Sequence, residues 1–511
     1  MSTWADESEA AFDDYVEALV GVIGHADRAE PLKDYCLGLL MPGERKSVEP
    51  LAAVTAPSRV AAKHQSLLHF VGQAPWSDEA LMGRVRDWVL PRIERRGAIR
   101  AWIIDDTGFP KKGKHSVGVA RQYCGQLGKQ DSCQVAVSLS VANDAASLPI
   151  AWRLYLPQVW ADDPERRKTA KVPDDVTFQT KPQIALEQIK TAQAQGVAPG
   201  VILADAGYGA DGGFRAGLTQ LDLTYVVGVQ PTLSVWRPGE GPLPPKPWSG
   251  KGRPTSRMRR DADHQPLSAK ALAEELPDEA WQAVTWREGT NAELSSRFAA
   301  LRVRTAHRDF DRSEPHPEEW LLIEWPAGEV APTKYWLSTL STDSTITQLV
   351  DTAKLRWRIE RDYQELKQEL GLGHYEGRGW RGFHHHASLC IAAYGFLISL
   401  RETIPPSASS QAQNGQPSGL PESYRPRGSP DPARTPRPHL NPNLAPTAHG
   451  RPRDTARTMS MLHQGDGRAP PAAIYDAVRL GGFEETNPLV RGTDGRPRRH
   501  FASLSAVSEA G

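Results

Sequence analysis

The chain has 511 residues, 61 Lys+Arg balanced by 61 Asp+Glu, and 39% hydrophobic residues; this leaves room for about two to four domains and suits a folded body carrying unfolded extensions. Cys36, Cys124, Cys133 and Cys390 are scattered without a CxxC pair, which excludes a disulfide scaffold and a zinc ribbon and suits a reducing cytoplasm. The opening MSTWADESEAAFDDY is acidic where a secretion signal is basic and then apolar, and the run Ala387–Leu400 is shorter than the roughly 20 residues that span a bilayer. A soluble cytoplasmic protein with no membrane segment is expected.

Residues 1–97 read as helical. Asp14–Ile23 and Ser77–Leu90 carry apolar residues at helical spacing, with Ser77 as N-cap and Pro91 as the stop of the second. The period then changes. Ala101–Asp106 is a short apolar run ending in acid, while Gln134–Val141 and Leu148–Leu156 alternate, so an antiparallel meander is predicted. A helix (Lys181–Gln195), a strand (Val201–Asp205), a helix (Gly213–Gln220) and a strand (Thr224–Val229) follow, giving a mixed sheet with helices packed on it. Residues 231–265 are Pro/Gly-rich and basic and predict a break in regular structure. Alternation returns at Trp320–Trp325 and Lys334–Leu340, and Thr345–Leu372 is one long helical pattern.

After Ile404 the composition turns to Pro, Ser, Gly and Arg, and Lys is absent beyond Lys367. Such a segment buries too little apolar surface to offset chain entropy, so disorder is predicted apart from a short helix around Ala472–Leu480. Cations gather in the stretches Arg84 to Lys114, Arg237 to Arg260 and Lys354 to Arg381. Any one of them reads as solvated surface; together they point to a polyanion such as nucleic acid.

Two strands end in acids. Ile103-Ile104-Asp105-Asp106-Thr107-Gly108 sets a carboxylate at a rigid strand end, a mount for a hard divalent cation, or else a plain Asp–Gly turn. Alternation sends Asp105 and Asp106 to opposite faces, and pattern alone does not choose between them. Val201-Ile202-Leu203-Ala204-Asp205 repeats the arrangement. Gly207-x-Gly209-x-x-Gly212 after it matches a dinucleotide fingerprint, yet the next strand ends Val229-Gln230 with no acid for the ribose. A nicotinamide-dependent oxidoreductase is therefore the weakest reading. On the long helix, Arg356, Glu360, Tyr363 and Lys367 follow at spacings of four, three and four and share a face. A carboxylate flanked by cations suits metal and phosphate; a solvated face with ordinary ion pairs is the bland alternative. His384-His385-His386 cannot all face one ion and read as packing or DNA-backbone residues. Trp320, Trp325 and Trp336 offer rings for an unpaired base, or pack in the core.

The order Asp106, Asp205, Glu360, with Arg356-x3-Glu360-x6-Lys367, resembles the DDE transposases of bacterial insertion sequences, and most of all insertion-sequence family seven hundred and one. DDTGFPKKGKHSVGVARQYCGQLGKQDSCQVAVSLS, LADAGYG, RWRIERDYQELKQELGLGHYEGRGW and RGFHHHASL carry the likeness, over roughly residues 10–404. The family's Tyr-x2-Arg-x3-Glu-x6-Lys signature has Ala353 at its Tyr position.

The resemblance implies an α/β fold: a ribonuclease H-like mixed sheet flanked by helices, a largely β insertion before the last catalytic helix, and an α-helical N-terminal domain. It implies a DNA-binding region at 1–97, a catalytic domain at 98–230 completed by 341–404, an insertion at 231–340, and a tail at 405–511. Asp106 is selected over Asp105 because the family's first acid commonly precedes Thr or Ser. Asp106, Asp205 and Glu360 would hold two Mg²⁺ ions, with Mn²⁺ as a substitute, one activating the nucleophile and one stabilising the leaving oxygen. Arg356, Tyr363, Lys367, Lys111, Lys112 and Trp320 are the implied DNA contacts. Cut-and-paste transposition follows: hydrolysis at the element's terminal inverted repeats, then attack of the 3′-hydroxyl on target DNA by a synaptic homodimer at the nucleoid. The alternative is a catalytically inactive, transposase-derived DNA-binding protein.

Overall fold

Helical spacing at the start of the chain is realised as five helices: α1 (Trp4–Val20), α2 (Ala29–Leu40), α3 (Val48–Thr55), α4 (Val60–Gly72) and α5 (Asp78–Glu94). The computed structural model describes residues 4–253, 255–288 and 293–403, so the predicted tail and the helix at Ala472–Leu480 lie outside the described residues. Ser77 caps α5 as expected, its Oγ accepting from the Ala80 N–H at 3.1 Å. Pro91 does not stop the helix, contrary to the sequence expectation; α5 runs through it to Glu94. Its buried stripe Leu81, Val85, Val89 and Ile93 continues past the proline, and that burial outweighs one lost backbone donor.

The sheet begins with β1 (Ala101–Pro110), β2 (Ala120–Cys124), β3 (Lys129–Ala142) and β4 (Ser147–Leu154). β1, β3 and β4 pair antiparallel, as the alternation predicts, and β2 adds a hairpin arm on β3 that the sequence pattern did not reveal. Next come α6 (Gln158–Ala161), α7 (Pro164–Ala170), α8 (Lys181–Ala194), β5 (Val201–Ala204), α9 (Ala206–Gly209), α10 (Gly212–Gln220) and β6 (Tyr225–Val229). β5 lies parallel to both β1 and β6. Beyond β6 the chain forms β7 (Ser234–Trp236), β8 (Leu267–Ser268), α11 (Ala269–Glu274), β9 (Gln282–Glu288), β10 (Glu293–Thr305), β11 (Glu318–Trp325) and β12 (Lys334–Ser338). β12 pairs with β6, so these strands extend the same sheet, in the order β2-β3-β1-β5-β6-β12-β11-β10-β7-β8.

Helices cover both faces of this mixed sheet. Trp102, Ile104, Ile202, Ala204, Tyr225 and Val227 pack with Ile184 and Ile189 of α8 and Phe214 of α10. The alternate residues Ile103, Leu203 and Val226 pack on the other side with Leu349, Val350, Leu355 and Ile359. This is the period-two segregation of a strand buried on both faces. The predicted helix Thr345–Leu372 is in fact two, α12 (Ile346–Lys354) and α13 (Trp357–Gln368). No Pro or Gly breaks it; the ladder tightens at the junction, where Ile359 N–H bonds Arg356 O at 3.2 Å.

α14 (Trp380–Thr403) closes the fold against α5. Gly395 permits the approach, because a Cβ there would stand 2.9 Å from Val85 Cγ1. The three histidines of α14 are buried and packed. His386 binds the Tyr35 hydroxyl at 2.9 Å and Gly371 O at 3.0 Å, His385 stacks on Trp76, and His384 Nε2 accepts from Leu154 N–H at 3.2 Å.

Candidate active site

Register brings the strand-borne acids together. β1 and β5 run in step with Ile103 opposite Leu203; two residues further on each stand Asp105 and Asp205. Asp205 is the N-cap of α9, its Oδ1 accepting from Gly207 N–H at 2.9 Å. The glycine after it serves packing rather than a nucleotide: a Cβ on Gly209 would overlap the carbonyl oxygen of Gly228 on β6. Asp105, Asp106, Asp205, Tyr208, Arg356, Glu360 and Tyr363 line one cleft of ≈ 860 Å³.

Alternation divides the β1 pair, which lies in mid-strand and not at the strand end the sequence predicts, because pairing with β3 carries β1 on to Pro110. Asp105 follows Ile103 toward α13, where Arg356 Nη1 donates to its Oδ2 at 2.8 Å and Arg356 Nη2 donates to Glu360 Oε1 at 3.1 Å. Asp106 follows Ile104 toward α8, where Lys181 Nζ donates to its Oδ2 at 2.7 Å and the Tyr208 hydroxyl donates at 3.3 Å. Burial pushes the Asp105 carboxyl up to about 7; Arg356 opposes this, and Asp205 and Asp106 add to it. The same burial, next to these acids, raises the Tyr208 phenol well above its ordinary value.

The remaining sequence candidates have varied settings. Tyr363 lines the cleft with its hydroxyl 2.8 Å from Ser138 Oγ. Lys367 is drawn under β1, donating to Gly108 O at 2.9 Å with its ammonium 5.0 Å from the Phe109 ring centre, and burial lowers its pKa to about 8. Lys111 donates to Tyr375 O at 2.6 Å, and Lys112 is exposed. Trp320 is not among the cleft residues: its indole donates to Ser341 O at 3.0 Å and Arg302 covers its ring at 5.1 Å. Sequence reasoning missed Lys181, Tyr208 and Tyr123. Thr180 and Gln183 form the capping box that starts α8, a local feature that carries no sign of the approach of Lys181 to Asp106. Tyr123, 60% exposed on β2, forms part of the cleft wall.

The donor set suits a hard divalent cation in kind, since four carboxylates and no thiol or imidazole line the cleft. Among the described residues, however, no three His, Cys, Asp or Glu side chains converge on one ion position as they stand. Glu360 is turned to Arg356 and Asp106 to Lys181.

The chain belongs to the DDE superfamily endonucleases, whose profile matches residues 18–293, more than half of its length. That stretch contains Asp105, Asp106 and Asp205 and ends before Glu360. A probable transposase for insertion sequence element IS701 from Microchaete diplosiphon is 30% identical over 219 residues, 43% of this chain and 53% of that protein. The aligned part thus spans about half of the relative's length. Among the described residues no helix is long and apolar enough to cross a membrane.

Proposed function

We propose that the chain is a cut-and-paste transposase that binds the terminal inverted repeats of an insertion sequence, cleaves the ends by metal-dependent hydrolysis and joins the 3′-hydroxyls to target DNA at the nucleoid. The observation that carries this reading is the cleft itself: acids from β1, the end of β5 and α13, far apart in sequence, line one cavity. Asp106, Asp205 and Glu360 would hold two Mg²⁺ or Mn²⁺ ions, with Asp105 beside them. When bound, the metal pair supplies a deprotonated nucleophile and charge stabilisation for the leaving oxygen. Arg356 and Lys181 pair with these carboxylates and bring cations within the cleft that suit phosphate oxygens. Tyr363, Lys367, Lys111, Lys112 and Trp320 are proposed DNA contacts, with Lys112 the most open of the lysines.

The central β3-β1-β5-β6 strands, with acids in the middle of β1 and at the end of β5, support a ribonuclease H-like reading of 98–230 and 341–404, with 231–340 as the insertion. Helices α1 to α5 within 1–97 are proposed to read the repeats in a homodimer. The test uses the full chain and labelled duplexes made from the DNA flanking the gene. Wild type should cut in Mg²⁺; Glu360→Gln should bind the same duplex with near wild-type affinity and not cut. Cutting by Glu360→Gln at the wild-type rate would remove Glu360 from the site, and binding without cutting by wild type would leave only a DNA-binding protein.

A further inference from the structure

A second pocket, of ≈ 370 Å³, lies across α9 from the acids. Gly207 and Tyr208 face the acidic cleft, and Ala210, one residue past α9, lines the second pocket. Its wall carries Arg215, Arg260, Arg308, His307 and Ser234 and no Asp or Glu. Two of the arginines are built into the fold. Arg215, 7% exposed, donates to Gly209 O. Arg260 grips the fully buried Asp309 at 2.8 Å, so that carboxylate is neutralised behind the wall. Arg308 is exposed, stands at φ 51, a conformation few side-chain-bearing residues adopt, and has no acid paired with it among the described residues. Phe310 lines the same pocket, 51% exposed, with the Arg260 guanidinium 5.9 Å from its ring centre.

We propose that this pocket binds a phosphodiester of the DNA strand lying in the acidic cleft, with the neighbouring sugar or base on Phe310; the inference rests on the transposase reading above. A wall of guanidinium and hydroxyl groups without a carboxylate selects a phosphate. An open aromatic beside it offers a stacking platform for a nucleotide. Four carboxylates outnumber Arg356 and Lys181 in the cleft, so positive groups beside it add to the affinity for a phosphate chain. The exposed cations Lys246, Lys251 and Arg253 precede Arg260 in the chain, whereas Arg257 is paired with Asp311 at 3.6 Å.

The experiment measures the affinity of the full chain for labelled duplex against salt concentration without divalent metal, and cleavage of the same duplex in Mg²⁺. Arg308→Ala should weaken binding several-fold and lower the slope of log affinity on log salt by about one. Arg308→Lys should keep the slope. Phe310→Ala should weaken binding about tenfold with the slope unchanged, as loss of stacking does. Both positions are exposed, and circular dichroism should show folded variants. Wild-type slope and affinity in Arg308→Ala, alongside a wild-type chain that cuts, would overturn the pocket and leave the transposase reading standing. An Arg308-dependent slope in a chain that never cuts would uphold the pocket and overturn that reading. Inorganic phosphate binding that needs Arg308, with DNA binding indifferent to it, would overturn the DNA assignment.

Discussion

Arg356 and Asp105 meet at 2.8 Å across the gap between the start of α13 and the middle of β1. A second nitrogen of the same guanidinium reaches Glu360 at 3.1 Å, so one side chain ties a strand acid to a helix acid more than two hundred residues away. The Asp105 side chain is 15% exposed and Glu360 64% exposed, so the strand acid is held in the protein while the helix carboxylate is paired at the surface. Removing the guanidinium leaves a half-buried acid without its cation. Arg356→Ala should therefore cost about 1–3 kcal/mol, read as a shift in the urea unfolding midpoint, whereas an exposed arginine would cost almost nothing.

The β1 pair is separable by substitution. With Asp106 as the metal carboxylate, Asp106→Asn should lower single-turnover cleavage by about 10³-fold or more, since an amide does not replace a carboxylate between cations. Asp105→Asn keeps an oxygen for Arg356 and should stay within about tenfold of wild type. The register supplies the opposite outcome. Asp105 is in step with Asp205 and on the α13 side of the sheet; an inactive Asp105→Asn with an active Asp106→Asn would make Asp105 the first acid.

Lys181 sits on Asp106 at 2.7 Å with both side chains partly exposed, 35% and 27%. Taking that cation away makes the cleft more negative and removes a competitor for the carboxylate. Lys181→Met should therefore lower the Mg²⁺ concentration for half-maximal cleavage by about two- to five-fold, the range of a partly screened ion pair. An unchanged or higher Mg²⁺ requirement would mean that Lys181 does not compete for Asp106.

The strand acids were legible because a run of Ile and Leu ending in Asp is a local pattern, and the faces of α13 because helical spacing is local too. What pairs with those acids was not. Lys181 comes to Asp106 through the packing of α8 on β3, and Arg356 comes to Asp105 through a helix break that no Pro or Gly announces. The hairpin arm β2 was missed because ARQYC shows little apolar alternation; it exists by pairing with β3 from Ala120 opposite Cys133 to Cys124 opposite Lys129. Pro91 misled in the other direction, since tertiary burial of Val89 and Ile93 overrides a local stop signal.

The buried histidines give the fold an acid limit, and His386 is the clearest case. Its Nε2–H donates to Gly371 O at 3.0 Å, and its Nδ1 accepts from the Tyr35 hydroxyl at 2.9 Å, so the neutral ring is fully satisfied. Burial lowers its pKa to about 4, against 6.5 for a free imidazole. Between those values the unfolded chain binds the proton and the folded chain does not, so stability rises with pH through this window and falls on acidification. The full span is about 3 kcal/mol. His386→Gln keeps an amide N–H for Gly371 but does not titrate. Unfolding midpoints in urea, taken from pH 7 down to pH 4, should fall less steeply for His386→Gln than for wild type, even though the variant starts lower at pH 7. Parallel curves for the two proteins would show that His386 is protonated equally in both states and plays no part in the acid limit.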